Sequence, residues 1–286
     1  MRSWLFIPGD SEKKLAKAAA SPADIIIFDL EDSVAEARKP VAREMVREAI
    51  ASVPGRAAVR INPLTSGLAD DDLAVVMAAA PDIIVLPKSE RGADVADLSV
   101  RLAVLEAQHG LDDGATTIMA ITTETAQALF GLGSYRGASQ RLTGMAWGAE
   151  DLSTVLGALR TRDGAGEWTN TFQLARTLCL AGAVAAGVQP IDTIYADFRD
   201  AEGFAVDCAA AAADGFLGKM AIHPAQVELI NAAFTPTETA IAEAQAIVDA
   251  FAAAPDAGTI GLDGRMIDRP HLVKAEALLA RAKTYI

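Results

Sequence analysis

Cysteine and histidine are scarce in this chain of 286 residues. The two cysteines, Cys179 and Cys208, form no Cys-x-x-Cys motif. The sequence therefore predicts no disulfide framework and favours a reduced, cytoplasmic location. The three histidines lie far apart and lack the i, i+4 spacing of a helical metal site, which argues against a zinc centre.

Long apolar runs and positive charge are also in short supply. No apolar run approaches the roughly 20 residues that a membrane-spanning helix needs, and the N-terminal run is too short for a signal peptide. Lys and Arg number 25 against 38 Asp and Glu, which gives a net charge of −13. We therefore expect neither nucleic acid nor a membrane as partner, although local cations can still bind an anionic small molecule.

Short apolar runs alternate with amphipathic helical patterns along most of the chain. Most of these runs lack polar alternation, as strands buried on both faces do. No Gly-x-Gly-x-x-Gly motif follows any of them, and the chain has no P-loop and no Ser-His-Asp order. The eight apolar runs cover residues 4–7, 25–28, 57–59, 83–86, 118–121, 145–147, 191–195 and 218–222.

This alternation predicts a right-handed series of βαβ units that closes into a (β/α)8 TIM barrel over residues 1–234. A doubly wound open sheet is the second choice, because the glycine motif typical of its nucleotide sites is missing. Residues 235–286 remain as a C-terminal helical extension that the barrel does not need for closure. Its apolar helices must pack against another surface, and we expect that surface to be a neighbouring subunit of a homo-oligomer.

Two carboxylates, Glu124 and Asp151, each follow a buried strand and precede a helical pattern, which begins near Ser153 in the second case. In a parallel α/β barrel, such strand ends lie on the same rim. Buried acids need a neutralising charge, and oxygen ligands suit Mg²⁺ with water and substrate completing its coordination. The sequence therefore predicts a magnesium site at this rim.

Other charged residues gather at the same strand ends, whereas the strands are almost free of charge. Arg60 supplies a fixed planar cation that suits a carboxylate or an enolate, so Mg²⁺ and Arg60 together favour chemistry through an enolate. Lys88 is the best Schiff-base candidate, with an ordinary rim charge as the alternative. The cluster comprises Asp29, Glu31, Asp32, Arg60, Lys88, Glu124, Glu150, Asp151, Asp197, Arg199 and His223.

Eight short segments in a fixed order make the chain resemble the HpcH/HpaI aldolase–citrate lyase family, and within it the citrate lyase beta-subunit-like acyl-CoA lyases. The resemblance runs from Arg2 almost to the C-terminus. The segments are Arg2-Ser3-Trp4-Leu5-Phe6-Ile7-Pro8-Gly9, Asp29-Leu30-Glu31-Asp32-Ser33-Val34, Val59-Arg60-Ile61-Asn62, Leu86-Pro87-Lys88, Thr123-Glu124-Thr125, Trp147-Gly148-Ala149-Glu150-Asp151-Leu152, Ile222-His223-Pro224 and Met266-Ile267-Asp268-Arg269-Pro270.

The resemblance implies a TIM barrel, a homotrimer or hexamer, and roles at the metal and acyl group. Glu124 and Asp151 match the two Mg²⁺ ligands. Arg60 matches the arginine that holds the substrate's acyl or carboxylate oxygens. Asp268 matches an acid on the C-terminal extension, which in relatives is a lid that closes over the adjacent subunit's site. This acid would donate a proton to the acetyl carbon or accept one from it.

The resemblance also implies contacts with a CoA thioester. Phe6 matches an aromatic residue on the CoA side, which is often a tyrosine, so one hydroxyl contact is missing here. Lys13 or Lys14, together with Lys17, match lysines that meet CoA phosphates. The segment Ile222–His223 matches backbone near the substrate, and Thr123 replaces an apolar residue that often precedes the metal-binding glutamate.

The implied reaction is a Mg²⁺-dependent carbon–carbon bond cleavage. A small 3-hydroxyacyl-CoA of the citramalyl-CoA or malyl-CoA type would yield acetyl-CoA and a 2-oxo acid through an enolate. Thioesterase or synthase variants would use the same groups. The alternatives are a citrate lyase beta subunit acting on a citryl thioester and a non-catalytic acyl-CoA-binding homologue.

Overall fold

Eight parallel strands form a closed barrel in the computed structural model, which describes residues 1–285. Neighbours in sequence pair with each other, and β8 pairs back onto β1 through Trp4 and Met220. The predicted (β/α)8 barrel is confirmed. The strands are β1 (Ser3–Pro8), β2 (Ile25–Asp29), β3 (Ala57–Arg60), β4 (Ile83–Leu86), β5 (Thr117–Ile121), β6 (Leu142–Ala146), β7 (Gln189–Asp192) and β8 (Gly218–Ala221).

Helices connect the strands and surround the barrel, as right-handed βαβ crossovers require. Short 3₁₀ segments lie at Ala18–Ala20, Glu36–Arg38, Leu64–Ser66, Met77–Ala79, Leu132–Ser134 and Pro224–Gln226. The α-helices of this part of the chain are α1 (Glu12–Leu15), α2 (Lys39–Ile50), α3 (Ala69–Val76), α4 (Gly92–His109), α5 (Ala128–Gly131), α6 (Ala149–Leu156), α7 (Asn170–Ala186), α8 (Ala201–Asp214) and α9 (Val227–Phe234).

Both faces of the barrel strands are buried, which explains their continuous apolar sequences. Ile25 and Ile27 on β2 belong to the cluster that fills the barrel interior, while Ile26 and Phe28 are buried on the opposite face of the strand. Such alternation follows from the two-residue period of a strand. The other members of the interior cluster are Trp4, Ala58, Ile83, Val85, Met119, Ile121, Ala146, Ile191 and Met220.

One boundary near the predicted metal site differs from the sequence expectation. Helix α6 begins at Ala149, not near Ser153, so Glu150 and Asp151 lie in its first turn. Gly148 takes the extended conformation of an N-cap residue, and acidic side chains are favourable beside the positive end of a helix. The two acids therefore begin the helix instead of preceding it.

The chain divides into two compact units, Met1–Asn231 and a second unit from Ala232 onward. The second unit contains α10 (Glu238–Ala253), β9 (Thr259–Leu262), β10 (Arg265–Asp268) and α11 (Arg269–Tyr285). β9 and β10 pair as an antiparallel hairpin, which the sequence analysis did not predict. Asp263 and Gly264 at its turn have φ values of 49° and 74°, as a two-residue hairpin turn requires.

None of the helices within residues 1–285 is both long enough and apolar enough to span a membrane.

A buried charge network links β7 and β8 to the helices outside the barrel. Lys219 is fully buried, and its Nζ lies 2.6 Å from Asp192 Oδ2 and 2.8 Å from Asp207 Oδ2. The other oxygen of Asp192 accepts hydrogen bonds from Trp147 Nε1 at 2.6 Å and from Arg176 Nε at 3.3 Å. Because Trp147 directly precedes Gly148, this network also fixes the end of β6.

Replacing Asp192 with Asn should destabilise the protein by about 3–5 kcal/mol, because it leaves Lys219 buried with reduced compensation. Urea unfolding of wild type and Asp192→Asn measures the change. Asp97→Asn serves as the control, since it breaks the exposed Asp97–Arg101 pair and should cost at most about 1 kcal/mol. Equal, small effects of both substitutions would contradict a structural role for the buried network.

Candidate active site

A cavity of about 400 Å³ opens at the C-terminal ends of the barrel strands, the face where such barrels place their active sites. Its lining combines charged residues with apolar ones that continue the barrel interior. The lining residues are Phe6, Pro8, Lys14, Asp29, Asp32, Ser33, Arg60, Ile121, Glu124, Gly148, Ala149, Glu150, Asp151, Thr193, Ile194, Met220 and Ile222.

Arg60, the last residue of β3, is fixed by acids at the end of β2 and in the loop after it. Its Nε and one terminal nitrogen donate to the two carboxylate oxygens of Asp29, each at 2.7 Å. The other terminal nitrogen lies 2.9 Å from Glu31 Oε2, and the guanidinium lies over the Phe6 ring at 4.7 Å from its centroid. Burial opposes ionisation of Asp29, yet Arg60 holds the pKa of that carboxyl below its usual value.

These contacts leave part of the guanidinium free to bind an anion. Arginine has five N–H groups in a planar fork. Asp29 takes two of them, and the other terminal nitrogen faces Glu31 at 2.9 Å and Asp32 at 3.6 Å. The Arg60 side chain is 11% exposed and lines the cavity. Arg60 can therefore present a rigid, desolvated cation to a carboxylate or to an oxygen that gains negative charge.

Lys88 contacts three carboxylates, and it faces the oxygen of Glu31 that Arg60 does not. Its Nζ lies 2.6 Å from Glu31 Oε1, 3.4 Å from Asp151 Oδ1 and 3.6 Å from Asp32 Oδ1. Partial burial works against the ammonium, but these acids raise the pKa of Lys88. A lysine held in its charged form is a poor nucleophile, so the geometry argues against the Schiff-base alternative.

Glu124 is buried in the loop after β5 and accepts a hydrogen bond from the backbone N–H of Lys88 at 2.5 Å. Gly148 gives it room, because a Cβ there would lie 2.7 Å from Glu124 Cγ. Burial and the nearby charges of Glu31 and Asp151 raise the pKa of Glu124 to about 8. The pKa of Glu31 is likewise raised, to about 7, mainly by burial.

Asp151 completes an excess of negative charge at this rim. Its side chain is 31% exposed, and it reaches the cavity from the first turn of α6. No cluster of three or more His, Cys, Asp or Glu side chains within residues 1–285 is arranged to hold a metal ion. Glu124 and Asp151 can still hold a hard divalent cation of the Mg²⁺ type, which commonly takes one or two carboxylates and completes its shell with water and substrate oxygens.

The first unit brings together most of the residues that the sequence analysis selected. Phe6, Arg60, Glu124, Asp151 and Ile222 all line the cavity. The roles of these residues remain predictions.

Three further candidates lie around α1, where the exposed side chains of Lys13, Lys14 and Lys17 form a small basic group. Lys14 lines the cavity, whereas Lys13 and Lys17 do not. His223 is also outside the lining: it caps the 3₁₀ turn after β8 through its Nδ1, and its ring stacks on Phe198 at 4.6 Å.

Asp268 lies in the second unit, at the end of β10. Its side chain is 35% exposed and its Oδ1 lies 2.5 Å from Nδ1 of His271. This contact with His271 lowers the pKa of Asp268. The residue therefore occupies an accessible position directly before α11, where it also precedes the helix as an N-cap residue would.

Two features of the site were not foreseen from the sequence. Lys88 connects Glu31 and Asp151 from a backbone conformation with φ of 51°. A non-glycine residue rarely adopts this conformation, and no local sequence motif predicts it here. The role of Gly148 depends on contact with Glu124 across neighbouring strands. The Gly-Ala-Glu-Asp segment was a visible signal, but it did not reveal which side chain the glycine accommodates.

Comparison with known families agrees with this arrangement. The profile of the HpcH/HpaI aldolase/citrate lyase family matches residues 2–224, and a second profile, described as a carbon–carbon bond lyase of the TIM-barrel fold, matches residues 167–286. The chain belongs to the HpcH/HpaI aldolase/citrate lyase family. It is thereby a member of a family of carbon–carbon lyases, as the sequence resemblance predicted.

Individual family members match this chain over nearly its whole length. The citrate lyase subunit beta of Haemophilus influenzae is 35% identical over 290 residues, covering 100% of this chain and 98% of the relative. A (3S)-malyl-CoA thioesterase of Cereibacter sphaeroides is 34% identical, covering 99% and 94%. The crystal structure of CitE from Mycobacterium tuberculosis with magnesium, acetoacetate and coenzyme A superposes with a TM-score of 0.81 at 33% identity, covering 99% and 98%.

The raised pKa of Glu124 predicts a pH dependence of stability. Its pKa is about 8 in the folded protein and near 4.5 when unperturbed, so the folded state binds the proton more tightly between these values. Stability contributed by this proton is present below pH 4.5 and is lost as the pH rises through about 8. Glu124→Gln cannot ionise, so its free energy of unfolding should fall less between pH 5 and pH 8 than that of wild type, leaving mainly the contribution of Glu31.

Urea unfolding at several pH values, with EDTA present to remove divalent cations, measures how the free energy of unfolding of wild type and of Glu124→Gln changes with pH. Glu228→Gln on α9 is a matched control, because Glu228 is exposed and does not line the cavity. If the free energies of unfolding of Glu124→Gln and wild type fell in parallel over this pH range, the raised pKa of Glu124 would be contradicted.

Proposed function

We propose that this protein is a Mg²⁺-dependent carbon–carbon lyase that cleaves a small 3-hydroxyacyl-CoA thioester of the citramalyl-CoA or malyl-CoA type. The products would be acetyl-CoA and a 2-oxo acid. The observation that carries the proposal is the placement of Glu124, Asp151 and the anchored Arg60 around one cavity. The magnesium and coenzyme A named with the Mycobacterium tuberculosis structure support the same assignment.

The residues present fit a magnesium ion. Glu124 is a buried carboxylate beside the negative charges of Glu31 and Asp151, and Gly148 keeps the space next to it free of a side chain. Glu124 and Asp151 would hold the ion, which would polarise a substrate carbonyl and stabilise negative charge on its oxygen.

Arg60 has the main binding role among the residues that do not hold the metal. Asp29 and Glu31 prevent its guanidinium from rotating, so its remaining N–H groups meet a substrate oxygen with little loss of conformational freedom. The same cation can hold the carboxylate of the 2-oxo acid product or the acyl oxygen that becomes an enolate. Phe6 covers one face of Arg60 and limits the access of water to it.

The cavity volume suits a small acyl group, and the basic residues near α1 suit the rest of a CoA thioester. Lys13, Lys14 and Lys17 are exposed cations in a chain whose net charge is −13. They would meet the phosphates of CoA, with Lys14 next to the cavity mouth. Ile222 and the backbone at His223 would lie along the acyl part.

Asp268 would transfer the proton at the acetyl carbon. The residue is accessible, and its lowered pKa keeps it as a carboxylate. As the carbon–carbon bond breaks, that carboxylate would accept the proton of the substrate's 3-hydroxyl group and would then donate it to the enolate carbon, which becomes the acetyl methyl group. We further propose that the second unit places Asp268 in the site of an adjacent subunit of a cytoplasmic homotrimer or hexamer. In this proposal, residues 1–234 are the barrel domain and the C-terminal extension starts at residue 235.

Thioester hydrolysis is the second candidate, because one relative is named as a (3S)-malyl-CoA thioesterase. A citrate lyase beta subunit acting on a citryl thioester is the third, given the relatives of that name. A protein that only binds acyl-CoA needs no acid that transfers a proton, such as Asp268, in addition to the metal-binding acids. The presence of Arg60, Glu124, Asp151 and Asp268 in one chain therefore favours an enzyme.

Assays with malyl-CoA and citramalyl-CoA, in Mg²⁺ or in EDTA, should detect release of a 2-oxo acid only with Mg²⁺. Asp268→Asn should lower the turnover number by about 10²-fold or more, as expected for the loss of a general acid–base group. Asp256→Asn, which changes an exposed acid of the same unit, should retain the wild-type turnover.

Separate detection of the free CoA thiol distinguishes the candidates. Thiol release without 2-oxo acid would favour a thioesterase, and cleavage of citryl thioesters alone would favour the citrate lyase beta subunit. Binding of CoA thioesters without turnover under any condition would contradict an enzymatic function.

A further inference from the structure

We propose that Lys88 is a built-in counter-cation that shares Asp151 with Mg²⁺ and thereby sets how tightly the site binds the metal. This inference rests on the proposed function, because it takes Glu124 and Asp151 as the metal ligands. Lys88 contacts both of them, one through its backbone and the other through its side chain.

The backbone of Lys88 holds Glu124 in place. Lys88 lies two residues beyond β4 with φ of 51°, a left-handed conformation that is uncommon for a residue with a Cβ. Its N–H donates to Glu124 Oε2 at 2.5 Å. An unusual conformation that aims a donor at a buried carboxylate is the kind of local strain that proteins retain at functional sites.

The side chain of Lys88 gathers acids from two different loops. Glu31 and Asp32 come from the loop after β2, at 2.6 Å and 3.6 Å from Nζ, and Asp151 comes from the first turn of α6 at 3.4 Å. Without a cation between them, these carboxylates would repel one another. The ammonium therefore stabilises the acidic rim when no metal is bound.

The shared carboxylate makes Lys88 and Mg²⁺ competitors. Two cations that contact one carboxylate repel each other, and this repulsion is only partly screened because Lys88 is 29% exposed. A protein that keeps Lys88 thus gains an ordered site at low Mg²⁺ and loses some affinity for the ion. Removing the charge while keeping the backbone should reverse both effects.

Calorimetric titration of MgCl₂ into EDTA-treated, dialysed protein tests this directly. Lys88→Met and Lys88→Gln should each bind Mg²⁺ with a dissociation constant lower by about tenfold, because the competing charge is gone. Lys88→Arg keeps the charge and should stay close to wild type. Lys283→Met removes an exposed lysine of α11 and should also match wild type.

Thermal unfolding supplies a second readout that needs no turnover. Lys88→Met and Lys88→Gln should melt at a lower temperature than wild type in EDTA, and Mg²⁺ should raise their melting temperature more than it raises that of wild type. The glutamine variant retains a polar contact with Glu31 and keeps the test available if the methionine variant does not fold.

The possible outcomes separate this inference from the proposed function. If wild type binds Mg²⁺ and both neutral variants bind it with the same or lower affinity, the role of Lys88 is overturned. The metal site and the proposed function would still stand. Absence of Mg²⁺ binding in wild type and in every variant would overturn the metal site, and with it both proposals. A matching gain in affinity for Lys88→Arg would show that charge is not the cause and would also overturn the inference.

Discussion

Carboxylates outnumber cations at one end of the barrel, and this imbalance shapes the whole site. Arg60 and Lys88 contact most of these acids, but they do not balance them, since burial and mutual repulsion raise the pKa of both Glu31 and Glu124. Buried charge without compensation is costly, and groups with strongly shifted pKa values cluster at functional sites. A divalent cation bound by Glu124 and Asp151 would relieve that cost.

The barrel supplies the rigidity that keeps these charges close together. The charged groups lie at or shortly beyond the ends of the neighbouring strands β2 through β6, so the parallel pairing of these strands fixes their spacing. On the outer side of the sheet, Lys219 and Asp192 hold Trp147 and hence the chain that leads to Asp151. Stability and site geometry are therefore coupled through a buried ion network that does not line the cavity.

The barrel and most of the rim could be predicted from the sequence because they rest on local patterns. Continuous apolar runs indicated strands buried on both faces, and Arg60, Glu124 and Asp151 come within a few residues of the ends of such runs. Lys88 was predicted at the rim, but its bridging role depends on an uncommon backbone angle and on side chains from distant loops. The hairpin of the second unit was missed although Asp263-Gly264 is a typical turn pair, because its strands, largely exposed, lack the apolar continuity of the barrel strands.

Anomalous diffraction from crystals grown with MnCl₂ would show whether Glu124 and Asp151 jointly hold a divalent cation. Mn²⁺ accepts the same oxygen ligands as Mg²⁺ and can be located by its anomalous signal. We expect one strong peak in direct coordination with both carboxylates, beside Gly148 and facing Arg60. A peak bound elsewhere, or no peak in the cavity while the carboxylates are well ordered, would contradict it.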